Sequence, residues 1–219
     1  MVFFVCTREI YPPLAQLVRA SSLYLEGPWF ESKRADNKYI IIMPIKKISE
    51  IGSKAIRSKA KKVLGMSSKQ LHQLIRDLTD TMRHDNLVGI AAPQIGKSLR
   101  VFLSEIRKTT YRKNISKPDR LRVFINPVIV SKSKKIANGY EGCGSVAKGC
   151  IFGPVKRSSS ISVQAEDVNG NKSVFKASGL LARIIQHEID HLNGTVFIDL
   201  VTDTKDLLGR EEYIKMKKK

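Results

Sequence analysis

Acidic residues and cysteine are both scarce in this chain. Twenty Asp and Glu face 39 Lys and Arg across 219 residues, a net charge of +19 at pH 7. Such a surplus attracts polyanions, of which nucleic acid is the most abundant; the bland alternative is a solvated lysine-rich surface with no partner. The three cysteines, Cys6, Cys143 and Cys150, are an odd number without framework spacing. That favours a reducing compartment over a disulfide scaffold, and a cytoplasmic location is the expectation. No apolar run approaches the roughly 20 residues that span a bilayer, so no membrane segment is expected. Aromatics make up 7% of the chain and include a single tryptophan, Trp29. What remains, 42% hydrophobic residues over this length, suffices for one soluble domain with a real core.

Residues 1–42 read differently from the rest. They show no sustained period of 3.6 or 2. Ala15 to Ala20 and Trp29 to Ser32 are what the common D-arm and T-arm sequences of a tRNA gene yield when translated, at about the right separation. The expectation is a non-native N-terminal extension over 1–42, with the natural start at Met43 and such a segment set aside from fold reasoning. A secretory signal is excluded because the apolar stretch from Val2 to Cys6 is too short, and Glu9, Glu26, Glu31 and Asp36 argue against a transit peptide. Leaving 1–42 out removes five basic and four acidic residues and lowers the net charge only to +18. The basic character therefore belongs to the remainder.

The chemistry is concentrated in Gln186-His187-Glu188-Ile189-Asp190-His191, an H-E-x-x-H motif within a helix-periodic apolar run from Leu180 to Leu192. A helix turns about 100° per residue, so positions i and i+4 leave one face. His187 and His191 can present two imidazoles to one metal ion, with Glu188 beside them to exchange a proton with water. Taken alone, the motif could also be a core-facing helix with two histidines at helical spacing by accident.

Two upstream segments narrow the reading. Leu87-Val88-Gly89-Ile90-Ala91-Ala92-Pro93-Gln94 and Glu141-Gly142-Cys143-Gly144-Ser145 precede the motif, which continues through Leu192 and Asn193 to Gly194. In order and separation these resemble the G-x-G-[LI]-A-A-x-Q, E-G-C-x-S and Q-H-E-x-D-H-L-x-G motifs of peptide deformylases. The resemblance runs from about Met43 to Leu200. It implies a deformylase catalytic domain over 43–208, followed by a basic C-terminal tail at 209–219. It also implies hydrolysis of the N-formyl group from the formyl-methionine terminus of nascent polypeptides, with release of formate. Two departures stand out: Leu87 replaces a glycine, and Gly144 replaces the usual leucine. Ala147 stands where many members have proline. These put the shape of the substrate groove in question more than the metal centre.

A catalytic metal needs a third protein ligand and an open position. A downstream acid, as in zincin proteases, is possible in sequence but poorly placed. Cys143 is the better third ligand, since a thiolate beside two imidazoles makes a sound site and the resemblance puts it there. The resemblance implies one divalent ion, Fe2+ by family habit, with Zn2+, Ni2+ or Co2+ able to occupy the same N and S ligands. It makes Glu188 the acid-base group, and Gln94 and the backbone N–H of Gly144 the oxyanion donors. By position in the motifs, Val88, Gly89, Ile90, Leu180 and Ile184, with His187, line the methionine pocket; ordinary core packing is the rival for the aliphatic ones. Glu141 and Arg157 could brace the Cys143 loop, or could be two independent surface charges.

For the rest, the pattern predicts a helix from Ser68 to about His84, capped by Ser67 or Ser68, with Leu71, Leu74, Ile75, Leu78 and Met82 as its apolar stripe. Strands are expected at Arg100–Leu103 and Val123–Val130, with a basic loop from Arg107 to Arg122 between them. A hairpin is expected from 161–165 to 174–176 about Asp167–Gly170. The helix of the motif should start near Ser178 and end at Asn193-Gly194. The fold class is α+β: mixed or antiparallel sheets wrapped around a central H-E-x-x-H helix. Rival functions are another H-E-x-x-H metallohydrolase, such as a metallopeptidase, or a catalytically weakened relative that binds ribosome or RNA. The expected partners are formyl-methionyl nascent peptides and, through the charge, the ribosomal RNA surface.

Overall fold

The computed structural model describes residues 33–35, 38–40, 45–110 and 112–218. The chain divides into two units, Met1–Met43 and Pro44–Lys219. In the first, strands β1 (Lys33–Ala35) and β2 (Lys38–Ile40) pair antiparallel. The expected start at Met43 lies outside the described residues.

The second unit opens with a short helix, α1 (Lys54–Arg57), and a long one, α2 (Ser68–His84). The bounds of α2 are those the pattern predicts. Ser67 caps it in a reciprocal box: its side chain accepts from the Gln70 N–H while the Gln70 side chain accepts from the Ser67 N–H. Leu71, Leu74, Leu78 and Met82 are buried along one stripe, with Ile75 partly so. Burying each such side chain favours folding by about 1.5–3 kcal/mol.

Strands β3 (Gly89–Ala91), β4 (Val101–Ile106), β5 (Asp119–Lys132), β8 (Ser160–Glu166) and β9 (Lys172–Ser178) form a five-stranded sheet in the order β3-β4-β5-β8-β9. Strands β6 (Ile136–Gly142), β7 (Ile151–Ser158) and β10 (Leu208–Gly209) form a second sheet in the order β10-β7-β6. Every pairing between these strands is antiparallel. The helix of the motif, α3 (Gly179–Leu192), touches β3, β4, β8 and β9 of the larger sheet and β7 of the smaller. Its inner residues Ala182, Ile185, Ile189 and Leu192 pack with Phe102, Phe124, Ile161 and Val163, where the two phenyl rings stack 4.5 Å apart. This is the α+β arrangement with a central helix. Gly194 ends α3 at φ +80°, and a Cβ there would stand 2.6 Å from the carbonyl oxygen of Arg57, so only glycine fits.

Three regions differ from expectation. Strand β5 starts at Asp119, so the basic loop is shorter than 107–122. Arg122 lies in the strand and pairs with Asp119 at 2.6 Å, while Arg107 pairs with Glu105 at 3.0 Å and donates to the carbonyls of Met82 and Leu87. These two arginines serve the fold, and Lys108, Lys113, Lys117 and Arg120 are the exposed cations of the segment. Strands β6 and β7 add to the expected elements; in β6, Ala137, Asn138, Gly139 and Gly142 are poor strand formers that the ladder to β7 holds extended. The C-terminal residues form a helix, α4 (Arg210–Lys218), whose Tyr213 ring stacks on Phe152 of β7 at 4.2 Å.

Candidate metal centre

Helix α3 brings His187 and His191 to one face, with ring centroids 5.0 Å apart. Cys143 comes from the turn that follows β6. Its Sγ lies 3.1 Å from His191 Nε2, and the ligand atoms of Cys143, His187 and His191 all fall within 4.8 Å of one another. Among the described residues this is the one such cluster of three. Cys143 is 4% and His191 1% exposed.

Burial alone pushes the Cys143 thiol up, but the charge of His191 and hydrogen bonds from both histidines outweigh it and hold the group well below its ordinary range. Burial lowers His187 in turn, and its hydrogen bonds to Cys143 and Glu141 outweigh that and raise it well above the usual imidazole range. The surroundings of Cys143 thus favour its thiolate, the form that ligates a divalent cation. Two imidazole nitrogens and one thiolate also suit a transition ion by softness. The donors present fit a metal.

The outer partners fit as well. His187 Nδ1 donates to Glu141 Oε2 at 2.9 Å, which leaves Nε2 as the ligand atom. Glu141, 6% exposed, accepts from Arg157 Nε and Nη2 at 3.0 and 2.8 Å and from Arg183 Nη1 at 2.7 Å. Burial raises Glu141, and the hydrogen bonds from Arg157 and His187 overcome it, holding the carboxyl well below the usual carboxylate range. Arg157 also pairs with Asp190. Arg183 donates to the carbonyls of Gly139, Val155 and Ala137 and so ties α3 to both strands that flank the Cys143 turn. Glu141 and Arg157 are thus buried partners, not independent surface charges. Sequence reasoning missed Arg183 and Asp190. The available signal was spacing, since Arg183 lies four residues before His187 on the helix.

Gln94 sits in a short 3-10 turn, Ala92–Ile95, directly after β3. It is 2% exposed, and its Oε1 accepts the Ala91 N–H at 2.8 Å. That bond fixes the amide with Nε2 toward Ser145 Oγ at 3.3 Å and Cys143 Sγ at 3.7 Å. Glu188 is buried and its Oε2 has no hydrogen-bond partner. Burial pushes its carboxyl up to about 7, against the lowering charge of His187 and His191. Its Oε1 would lie 2.4 Å from a Cβ at Gly89, so glycine there makes room for the carboxylate.

The remaining predicted residues divide. Gly144 adjoins Cys143, and Ile184 packs where a Gly89 side chain would begin, its Cγ2 2.9 Å from that point. Val88 is half-buried, and its carbonyl accepts the Glu105 N–H at 2.9 Å. Leu180 lies two helical turns before His187 and is 39% exposed. Ile90 is fully buried in the cluster beneath α2, on the opposite side of β3 from Glu188, so only its backbone is available at the centre. Because β3 is the edge of its sheet, its outer rim lies beside Glu188.

Known proteins resemble this chain in both sequence and fold. The family model described as polypeptide deformylase matches residues 45–206. A peptide deformylase of Dictyoglomus turgidum is 39% identical over 163 residues, covering 74% of this chain and 97% of that protein. Peptide deformylase 2 of a Nostoc species is 37% identical over 166 residues, covering 76% and 91%. A class I type b peptide deformylase of Acinetobacter baumannii, solved with Met-Ala-Ser bound, superposes with a TM-score of 0.68 at 31% identity, covering 73% of this chain and all of that one. The Thermotoga maritima peptide deformylase gives 0.62 at 31% identity over 73% of this chain and 99% of that one.

Proposed function

The chain belongs to the peptide deformylase family, and from that premise we propose which of its residues perform the reaction. The protein is a metal-dependent hydrolase that removes the N-formyl group from the formyl-methionine terminus of nascent polypeptides and releases formate. Cys143, His187 and His191 hold the ion, which we take to be Fe2+, with Zn2+, Ni2+ or Co2+ as substitutes. When bound, it supplies Lewis-acid polarisation and makes water a stronger nucleophile at neutral pH. The observation that carries this assignment is the convergence of these three ligand atoms beside an unpartnered, buried Glu188 oxygen.

Glu188 takes a proton from the attacking water and delivers it to the departing amine nitrogen. Water adds to the formyl carbon, the C–N bond breaks, and the products are formate and a free N-terminus. Gln94 Nε2 and the Gly144 N–H donate to the oxygen that gains charge, each such donor being worth about 2.7–4 kcal/mol. The rim of β3 at Gly89 and Ile90 offers backbone groups to an extended substrate. Val88, Leu180 and Ile184 supply apolar surface to its first side chain.

Formate release from a formyl-Met peptide, set against cleavage of blocked internal peptides, separates this reading from a metallopeptidase. No formate from a metal-loaded protein overturns it. The same assay tests the start site: a chain beginning at Met43 is expected to match the full one, and loss confined to the shorter chain counts against that start.

The charge supports a second partner, the ribosomal RNA surface at which nascent chains emerge, and with it a cytoplasmic site of action. No helix among the described residues is long and apolar enough to cross a membrane. The exposed cations at Lys108, Lys113, Lys117 and Arg120, with those of α4, are the proposed contacts. Phosphate contacts release counterions, so ribosome binding should weaken steeply with salt. Replacing Lys217 and Lys218 with alanine should flatten that slope and leave turnover of a small formyl peptide unchanged. Co-sedimentation at two salt concentrations checks it; binding insensitive to both salt and substitution removes the idea.

A further inference from the structure

Leu87 and Gly144, the two positions at which this chain departs from its family's motifs, meet in space. A Cβ built on Gly144 would lie 3.6 and 3.7 Å from the two δ-methyls of Leu87, and 3.2 Å from Ile48 Cδ1. The Leu87 distances are ordinary contact and the Ile48 distance is tight, so Leu87 and Ile48 fill the space toward which a side chain at 144 would grow. The Leu87 backbone is fixed from both ends: its N–H donates to the Met82 carbonyl at 2.9 Å, and its own carbonyl accepts from Arg107 Nη2 at 3.1 Å. Its side chain is only partly buried, resting on the cluster beneath α2. It thus combines a rigid anchor with an accessible apolar face, next to the residue that adjoins Cys143.

We propose that Leu87 is a specificity-determining residue of this enzyme, supplying from the β3 side, together with Ile48, the apolar wall that a side chain at position 144 would otherwise provide. The exchange leaves Gly144 its backbone N–H and moves the hydrophobic surface to the opposite bank of the groove. The formylated residue's side chain then packs on Leu87. This rests on the deformylase reading and adds which residue reads the substrate.

The two positions should behave as one unit, which a double-mutant cycle measures. The readout is kcat/KM for formyl-Met-Ala-Ser and for formyl-Ala-Ala-Ser, with thermal unfolding recorded for each variant. Leu87→Gly should lower the preference for methionine over alanine by about tenfold or more, because the longer side chain loses an apolar partner that the shorter one never reached. Gly144→Leu alone should lower kcat/KM for both peptides by crowding Leu87 and Ile48. The Leu87→Gly, Gly144→Leu double variant should return both values to within a few-fold of wild type. An unchanged methionine preference in Leu87→Gly, or losses in the double variant that simply multiply those of the singles, would overturn the proposal. A purely structural role for Leu87 would lower the unfolding temperature without moving the preference, and that result also counts against it. Should Gly144→Leu fail to fold alone, folding of the double variant supports the pairing and its failure opposes it. Absence of formate release by the wild-type protein would instead overturn the underlying activity.

Discussion

Replacing Glu188 with alanine is expected to abolish most formate release while leaving the metal content intact. General acid–base catalysis contributes about 10²–10⁴-fold, and among the described residues no second carboxylate stands ready to replace this one. Glu141 is engaged by Arg157, Arg183 and His187, and Asp190 by Arg157. Among the described residues, Glu188 is the one carboxylate that keeps a buried oxygen without a partner, in the space that Gly89 leaves open. Its carboxyl, pushed up to about 7 by burial, must be ionised to accept a proton. Activity should therefore fall on the acid side as Glu188 protonates, and a divalent cation nearby favours the carboxylate and shifts that limb below 7. The variant should lose the limb together with the rate. Metal analysis and formate release on the same preparation decide the matter: turnover near wild type in a fully loaded Glu188→Ala protein would remove Glu188 from the acid–base role.

Cys143→Ser is expected to lose most of the bound metal. Cys143 is the one donor of the three that can carry a negative charge, and the charge of His191 with hydrogen bonds from both histidines holds its thiol well below the ordinary range against burial. A serine hydroxyl remains neutral and is a far poorer ligand, so the site would offer only two imidazoles. The buried environment worsens the loss, because His191 Nε2 faces Sγ at 3.1 Å and the Ser145 N–H donates to the same sulfur at 3.4 Å. Groups arranged for a negative charge would then surround a neutral one. Metal content after removal of free ion, measured beside wild type, tests this; full occupancy in the serine variant would reject the ligand set.

The local features were legible because local physics sets them. The Ser67–Gln70 box and the stripe from Leu71 to Met82 define α2 within its own segment. The hairpin of β8 and β9 turns at Asp167–Gly170, where a four-residue signal lies between two alternating runs. The placement of His187, Glu188 and His191 on one helix follows from 3.6 residues per turn.

Other features depend on partners far away in the chain. Strand β6 is extended because β7 pairs with it, against the preferences of its own glycines and asparagine. The bond between His187 and Glu141 spans 46 residues, and that between Arg183 and Glu141 spans 42. Whether a charge is a solvated ornament or a buried brace depends on what folds over it, and residue type alone cannot express that. Arg107 illustrates the point, reading as one cation of a basic loop and serving as a hydrogen-bond donor to two carbonyls. The sequence by itself determined two imidazoles and a carboxylate at helical spacing, in a basic chain with little acid and no membrane run, and the motif resemblance added the sulfur of Cys143. Only the tertiary structure decided how that chemistry is held and walled. The three side chains bonded to Glu141, the Gln94 amide set against Ser145 and Cys143, and Leu87 standing over Gly144 are contacts between separate elements, and the energy that selects them exists only once those elements are packed together.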